Sequence, residues 1–130
     1  MIKDSGNRKI FDTGAQRDIH FGKGRMDLLP MRALIQLSKH FEAGAAKYEA
    51  RNWEKGIPLH AFVDSGLRHG AKFMINMNDE PHLTAACWNF LCGLDTLIRI
   101  KEGILPATLL DIPINPNLGE NQNLLDYVII

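Results

Sequence analysis

Glu42, Asp64, Asp79, Glu80 and His82 supply carboxylate oxygens and one imidazole from three separate stretches of this 130-residue chain. Gathered in one place, such groups would hold divalent cations, neutralise a polyphosphate and activate a water for attack on phosphorus. Glu42 stands at the edge of an apolar stripe, beside Ser38, Ala45 and Ala46, where its carboxylate can turn inward between helices. An ordinary solvated glutamate is the plainer alternative. Asp64, Arg68 and Lys72 recur at i, i+4 and i+8, nearly opposite the apolar stripe of their own segment. That is the spacing of an exposed ion pair; the chemical reading makes Asp64 a metal ligand and Arg68 a fork for phosphate oxygens. Asp79 and Glu80 precede a helical run, where capping and the helix dipole already explain carboxylates, yet they stand beside His82. On a wheel of about 100° per residue, His82, Ala86, Asn89 and Gly93 form one narrow stripe flanking the apolar face, a small-residue groove holding an imidazole and a carboxamide.

Two further groups suit an anionic, aromatic ligand. Gly22-Lys23-Gly24-Arg25 is a flexible cationic strip able to wrap phosphates, although no P-loop or dinucleotide-binding glycine pattern is present. Arg51-Asn52-Trp53 offers an indole to stack on a base and an amide to read its edge, with a core tryptophan as the alternative.

The elements that must position these groups are helices. Residues 1–29 are rich in Gly and charge without helical or alternating period, and read as an extended arm. Pro30 opens a first helix over 30–49, with Met31, Leu34, Leu37, Phe41, Ala45 and Tyr48 on one stripe. The segment 51–58 breaks that pattern with Gly56 and Pro58. A second stripe of Leu59, Phe62, Val63, Leu67, Phe73, Met74 and Met77 follows, locally weakened by Gly66 and Gly70. Asn78-Asp79-Glu80-Pro81 is a helix start, and Leu83, Ala86, Cys87, Phe90, Leu91, Leu94, Leu97 and Ile98 continue at helical spacing. Beyond Gly103, prolines and the Asn-rich 115–123 stretch predict an irregular tail, with Leu124–Ile130 a short strand or docking segment.

The chain thus reads as one all-α domain over 1–130: a small helical bundle at 30–102, an N-terminal arm and a C-terminal tail at 103–130. Three amphipathic helices enclose a deep cavity only when another layer covers them, so a homo-oligomer completing the bundle is expected. With 45% hydrophobic and 23% charged residues the composition is that of a soluble globular protein, and no apolar run reaches the ~20 residues of a membrane span. Fifteen basic and fifteen acidic side chains cancel, which argues against binding long nucleic acid through many phosphates. Cys87 and Cys92 match neither a metal pair nor a disulfide framework and read as buried free thiols; without a signal peptide, the reducing cytoplasm is the expected location.

Taken together, the motifs resemble the phage dATP/dGTP diphosphohydrolases of the MazZ family, relatives of the MazG-like all-α nucleotide pyrophosphohydrolases. The resemblance is carried by Phe11-Asp12-Thr13-Gly14-Ala15, Gly22-Lys23-Gly24-Arg25-Met26-Asp27-Leu28-Leu29-Pro30, His40-Phe41-Glu42-Ala43-Gly44 with Lys47-Tyr48, and Arg51-Asn52-Trp53-Glu54-Lys55-Gly56. Asp64-Ser65 with Arg68-His69, and His82-Leu83 with Ala85-Ala86 and Trp88-Asn89, extend it over residues 10 to 100. It implies hydrolysis of dATP or dGTP between the α and β phosphates, giving the monophosphate and pyrophosphate with Mg²⁺, Mn²⁺ or Co²⁺. Glu42, Asp64 and His82 would then be catalytic, and Glu42, Asp64, Asp79 and Glu80 would hold metal. Lys23, Arg25, Lys47, Arg51, Asn52, Trp53, Arg68 and Asn89 would bind substrate. MazG-type enzymes mark their metal site with Glu-Glu-x-x-Glu and Glu-x-x-Asp, and neither pattern is present, so the ligand set rests on individual carboxylates. The competing readings are an HD-type phosphohydrolase, for which the chain lacks an adjacent His-Asp pair, and a non-catalytic protein that binds nucleotides or a host factor.

Overall fold

The N-terminal arm is not simply extended. In the computed structural model, which describes residues 1–113 and 124–129, β1 (Arg8–Ile10) pairs antiparallel with β2 (Gln16–Asp18), Lys9 opposite Arg17. The turn between them is closed by the Phe11 N–H donating to the Ala15 carbonyl at 2.9 Å and the Gly14 N–H to the Phe11 carbonyl at 2.8 Å. Asp18 accepts from the Ser5 hydroxyl and pairs with Lys23 at 2.9 Å, contacts that hold its carboxyl well below the usual range. Neither strand buries a residue; the hairpin therefore lacks the apolar alternation by which a strand is recognised. It belongs to a compact unit spanning Met1–Met31, distinct from a second unit spanning Arg32–Ile130.

The remainder is helical, as the periodicity predicts: α1 (Met31–Lys47), α2 (Leu59–Met74) and α3 (His82–Lys101). Two of the helix ends show why they stop. Asn76 takes a left-handed φ of 61° after α2, with the Met77 N–H bonded to the Lys72 carbonyl and the Asn76 N–H to the Phe73 carbonyl, both at 3.0 Å. Gly103 closes α3 in the same way, Ile104 bonding back to Arg99 at 2.8 Å. Both are Schellman ends, which satisfy carbonyls that the helix leaves free.

The close backbone packing is between α2 and α3. His69 meets His82, Gly66 faces Phe90, and Gly93 faces Phe62 and Leu59, so the two helices run antiparallel. A Cβ at Gly66 would stand 2.8 Å from the Phe90 ring, which would have to shift for any larger residue, whereas one at Gly93 would make ordinary contact with Phe62 at 3.4 Å. The core consists of Leu37, Leu59, Phe62, Ala85, Ala86, Cys92, Ile100 and Val128, together with the polar His82, Asn89 and Thr96. Thr96 is satisfied by donating to the Cys92 carbonyl at 2.8 Å.

The burial of α3 differs from the expected one. The small and polar stripe of His82, Ala86, Asn89 and Gly93 is buried, while Leu83, Phe90, Leu91 and Leu94 of the apolar stripe are exposed. Leu67 on α2 is exposed too. Of the two thiols expected to be buried, Cys87 is exposed and Cys92 is buried; burial pushes the Cys92 thiol up, to about 12.

In the tail, short 3-10 turns form at Ala107–Leu109 and Leu124–Tyr127, the latter where a strand or docking segment was expected. Docking fits better: Val128 is buried and its carbonyl accepts from Lys101. Asp111 caps α2, accepting from the His60 N–H at 3.0 Å and from the His60 ring. The Asn-rich 115–123 stretch lies outside the described residues.

Candidate functional site

The α2–α3 hairpin sets His69, on the penultimate turn of α2, against His82, the first residue of α3. Their Nδ1 atoms are 3.0 Å apart. The His82 side chain is 0% exposed, and its Nε2 meets the Asp79 Oδ1 at 2.8 Å. An ionised carboxylate only accepts, so the His82 proton sits on Nε2 and Nδ1 turns a lone pair toward His69. The same bond holds the Asp79 carboxyl below the usual range. Asp79 therefore serves the His82 ring, and α3 receives no side-chain cap from Pro81 at its start. Burial, opposed by the nearby Glu80 charge, holds His69 below the ordinary imidazole value. A neutral ring at physiological pH is the form that binds metal.

Glu80 completes the group: one donor atom each from His69, Glu80 and His82 lie within 4.8 Å of one another. Two nitrogens, each about 2.1 Å from one cation, can stand 3.0 Å apart. Two imidazoles and a carboxylate are a familiar donor set for a catalytic ion with open positions. Spacing and chemistry both fit a divalent metal.

Beside this group lies a cavity of ≈ 870 Å³ lined by both His69 and Glu80. Its walls also include Glu42 and Lys47 from α1, Arg51, Asn52 and Trp53 from the connecting loop, and Trp88 and Asn89 from α3. The rings support one another. Trp88 stands 5.9 Å from both His40 and Phe41 and 6.3 Å from Phe62, centroid to centroid, and Phe41 meets Trp53 edge-on at 6.3 Å. The Arg99 guanidinium lies 5.8 Å from the Trp53 ring, itself held by Asp95 at 2.7 Å and Glu54 at 3.3 Å. The loop turns at Gly56, whose φ of 111° would strain a residue with a side chain, and an added Cβ would crowd the Leu109 side chain at 3.0 Å. The Trp88 Nε1 is buried with no acceptor among the described residues.

Seven of the residues predicted for the site, Glu42, Lys47, Arg51, Asn52, Trp53, Glu80 and Asn89, thus line one cavity, and His82 adjoins it through His69. Asp64 and Arg68 do not line it; they form the exposed i, i+4 pair that was the plainer reading of their spacing. An exposed pair of this kind contributes at most about 0.5 kcal/mol. Asp64→Asn is therefore expected to leave kcat/KM within about twofold of the parent, as steady-state kinetics will check. Lys23 and Arg25 lie in the N-terminal unit, paired with Asp18 at 2.9 Å and with Asp27 at 2.6 Å.

His69 and His40 were not predicted as site residues. His69 and His82 flank a helix-to-helix turn, and two histidines so placed in an antiparallel hairpin were a signal available in the sequence.

No curated protein and no solved structure matches the chain. The family described as dATP/dGTP diphosphohydrolase, N-terminal, matches residues 13–104, a span that takes in all three helices and every residue lining the cavity. The chain belongs to the dATP/dGTP diphosphohydrolase family.

Proposed function

We propose that the protein hydrolyses dATP and dGTP between the α and β phosphates, releasing the deoxynucleoside monophosphate and pyrophosphate, with a divalent ion at His69, Glu80 and His82. The observation that carries this reading is a single cavity joining two of those three donors to indoles, carboxamides and the cations Lys47 and Arg51. A purine presents flat π faces and a polar edge, and a triphosphate presents anionic oxygens; the lining offers a partner for each.

When bound, the ion supplies Lewis-acid polarisation of phosphoryl oxygens and acidifies a bound water. The chain's own residues do the rest. Glu42, on the α1 wall, takes the proton of the attacking water. Lys47 and Arg51 hold the departing pyrophosphate. Arg51 can exchange Glu54, 2.7 Å away, for phosphate, because Glu54 keeps Arg99 as a partner. The Asn89 Nδ2 is committed to the Ala85 carbonyl at 2.9 Å, which leaves its Oδ1 to accept from a base edge.

The test is incubation of pure protein with each dNTP and Mg²⁺, Mn²⁺ or Co²⁺. Pyrophosphate and monophosphate from dATP or dGTP support the reading; nucleotide binding without product supports a non-catalytic binding protein. Trp53→Ala is expected to raise KM for the purine substrates about tenfold or more, since stacking on one base contributes roughly 1–3 kcal/mol, with a smaller change in kcat. Parallel initial-rate measurements on the variant and the parent check this.

The exposed apolar stripe of α3 supports oligomerisation. Leu83, Cys87, Phe90 and Leu94 follow the alternating four- and three-residue spacing of a helix–helix seam, and none is charged. A second copy covering this face would bury what one chain leaves in water. Light scattering decides, and a strictly monomeric, fully active protein would remove the argument. No described helix is long and apolar enough to cross a membrane; the proposed setting is the cytoplasm, in phage nucleotide metabolism.

A further inference from the structure

We propose that the His69, Glu80 and His82 group is selective for a borderline transition ion of the cobalt or zinc class over magnesium, and that Asp79 is a positioning residue for it and not a ligand. The hydrolase reading supplies the use of this ion, but its class follows from the donors. Only one of the three is an oxygen. Magnesium prefers oxygen ligands and gives up its water reluctantly, whereas imidazole suits zinc, cobalt and their neighbours, with manganese weakest in that series.

The role of Asp79 follows from which nitrogen it meets. Its carboxylate takes the Nε2 proton of His82 at 2.8 Å, on the opposite side of the ring from the Nδ1 that faces His69 at 3.0 Å. This fixes the ring orientation and the tautomer, leaving the Nδ1 lone pair facing His69, with a Glu80 oxygen within 4.8 Å of the group. A carboxylate behind a ligating histidine raises its basicity in the same way, and removing such a partner typically weakens metal affinity 10–100-fold. The half-buried His69 needs only its Nε2–H tautomer to offer its own Nδ1 to the ion.

Titration of the metal-free protein with Co²⁺, followed by its visible absorption and by calorimetry, tests both parts without reference to turnover. One Co²⁺ per chain is expected, displaced by Zn²⁺ and not by a large excess of Mg²⁺. His69→Ala and Glu80→Gln, both on partly or fully exposed side chains, should lose the band while circular dichroism shows the fold retained. Asp79→Ala should weaken Co²⁺ binding about 10–100-fold with the band shape unchanged, and Asp79→Asn, which can still accept from Nε2, should weaken it less. Displacement by Mg²⁺ at comparable concentration would overturn the selectivity, and an altered band in Asp79→Ala would make Asp79 a ligand. Co²⁺ uptake by a protein that turns over no nucleotide would keep this site and sink the hydrolase reading; dGTP turnover with no Co²⁺ or Zn²⁺ bound would do the reverse.

Discussion

Replacing Glu80 by Gln is expected to lower kcat/KM for dATP and dGTP by about 10³-fold or more. The substitution removes the only anionic donor of the metal group, and a catalytic cation contributes several kcal/mol of charge stabilisation in the transition state, each ~1.4 kcal/mol being a factor of ten. The loss should fall mainly on kcat, because phosphoryl charge develops as the bond to the leaving pyrophosphate lengthens. Glu80 is exposed, so melting should be unchanged. Glu42→Gln in the same assay separates two roles. Loss of kcat with Co²⁺ uptake preserved fits a proton acceptor, whereas a Glu42→Gln protein that binds no metal beside a fully active Glu80→Gln would move the ion to the α1 wall.

The largest effect on stability is expected from Phe62→Ala. Phe62 is 2% exposed, backs Trp88 with ring centroids 6.3 Å apart, and packs on Gly93 between α2 and α3. Deleting a buried phenyl ring costs roughly 3–5 kcal/mol through lost transfer energy and the cavity left behind. That is a large part of the ~5–15 kcal/mol that stabilises a typical domain. At about 4–8 °C per kcal/mol for a unit of this size, a Tm decrease on the order of 15–30 °C should be seen by calorimetry. Trp88 loses its support in the same variant, so KM for purine substrates should rise as well. Phe62→Leu, which refills most of the space, should recover much of both. A Phe62→Ala protein melting within a few degrees of the parent would mean that this interface is not what holds the helices together.

The three helices were legible because their apolar residues recur at three and four, with Pro and Gly marking where they begin and end. The hairpin was not, since Arg8-Lys9-Ile10 and Gln16-Arg17-Asp18 bury nothing and leave no alternation to read. On α3 the period was clear but its phase was ambiguous. Two stripes lie side by side, and the more apolar one was assigned to the core, whereas the chain packs the one with small residues against α2 because Gly93, Ala85 and Ala86 permit close approach. Much of the candidate site followed from residue chemistry, since Trp53, Asn52, Glu80 and Asn89, chosen for their types, line one cavity. His69 did not, because its partner arrives through tertiary packing; the signal lay only in the two histidines flanking the turn, read together with the antiparallel pairing of the helices. Asp79 was read as a cap or a ligand, and its carboxylate meets the Nε2 of the buried His82 ring at 2.8 Å, a pairing that spacing alone did not announce.

The two walls of the cavity differ in how much change they tolerate. The α3 wall shares Ala85 and Asn89 with the interior of the protein, and a mutation there is filtered first by whether the chain still folds. The facing loop around Arg51–Trp53 carries side chains that can be exchanged with little consequence for the core. Under the proposed function, divergence in nucleobase preference among relatives would therefore accumulate in that loop.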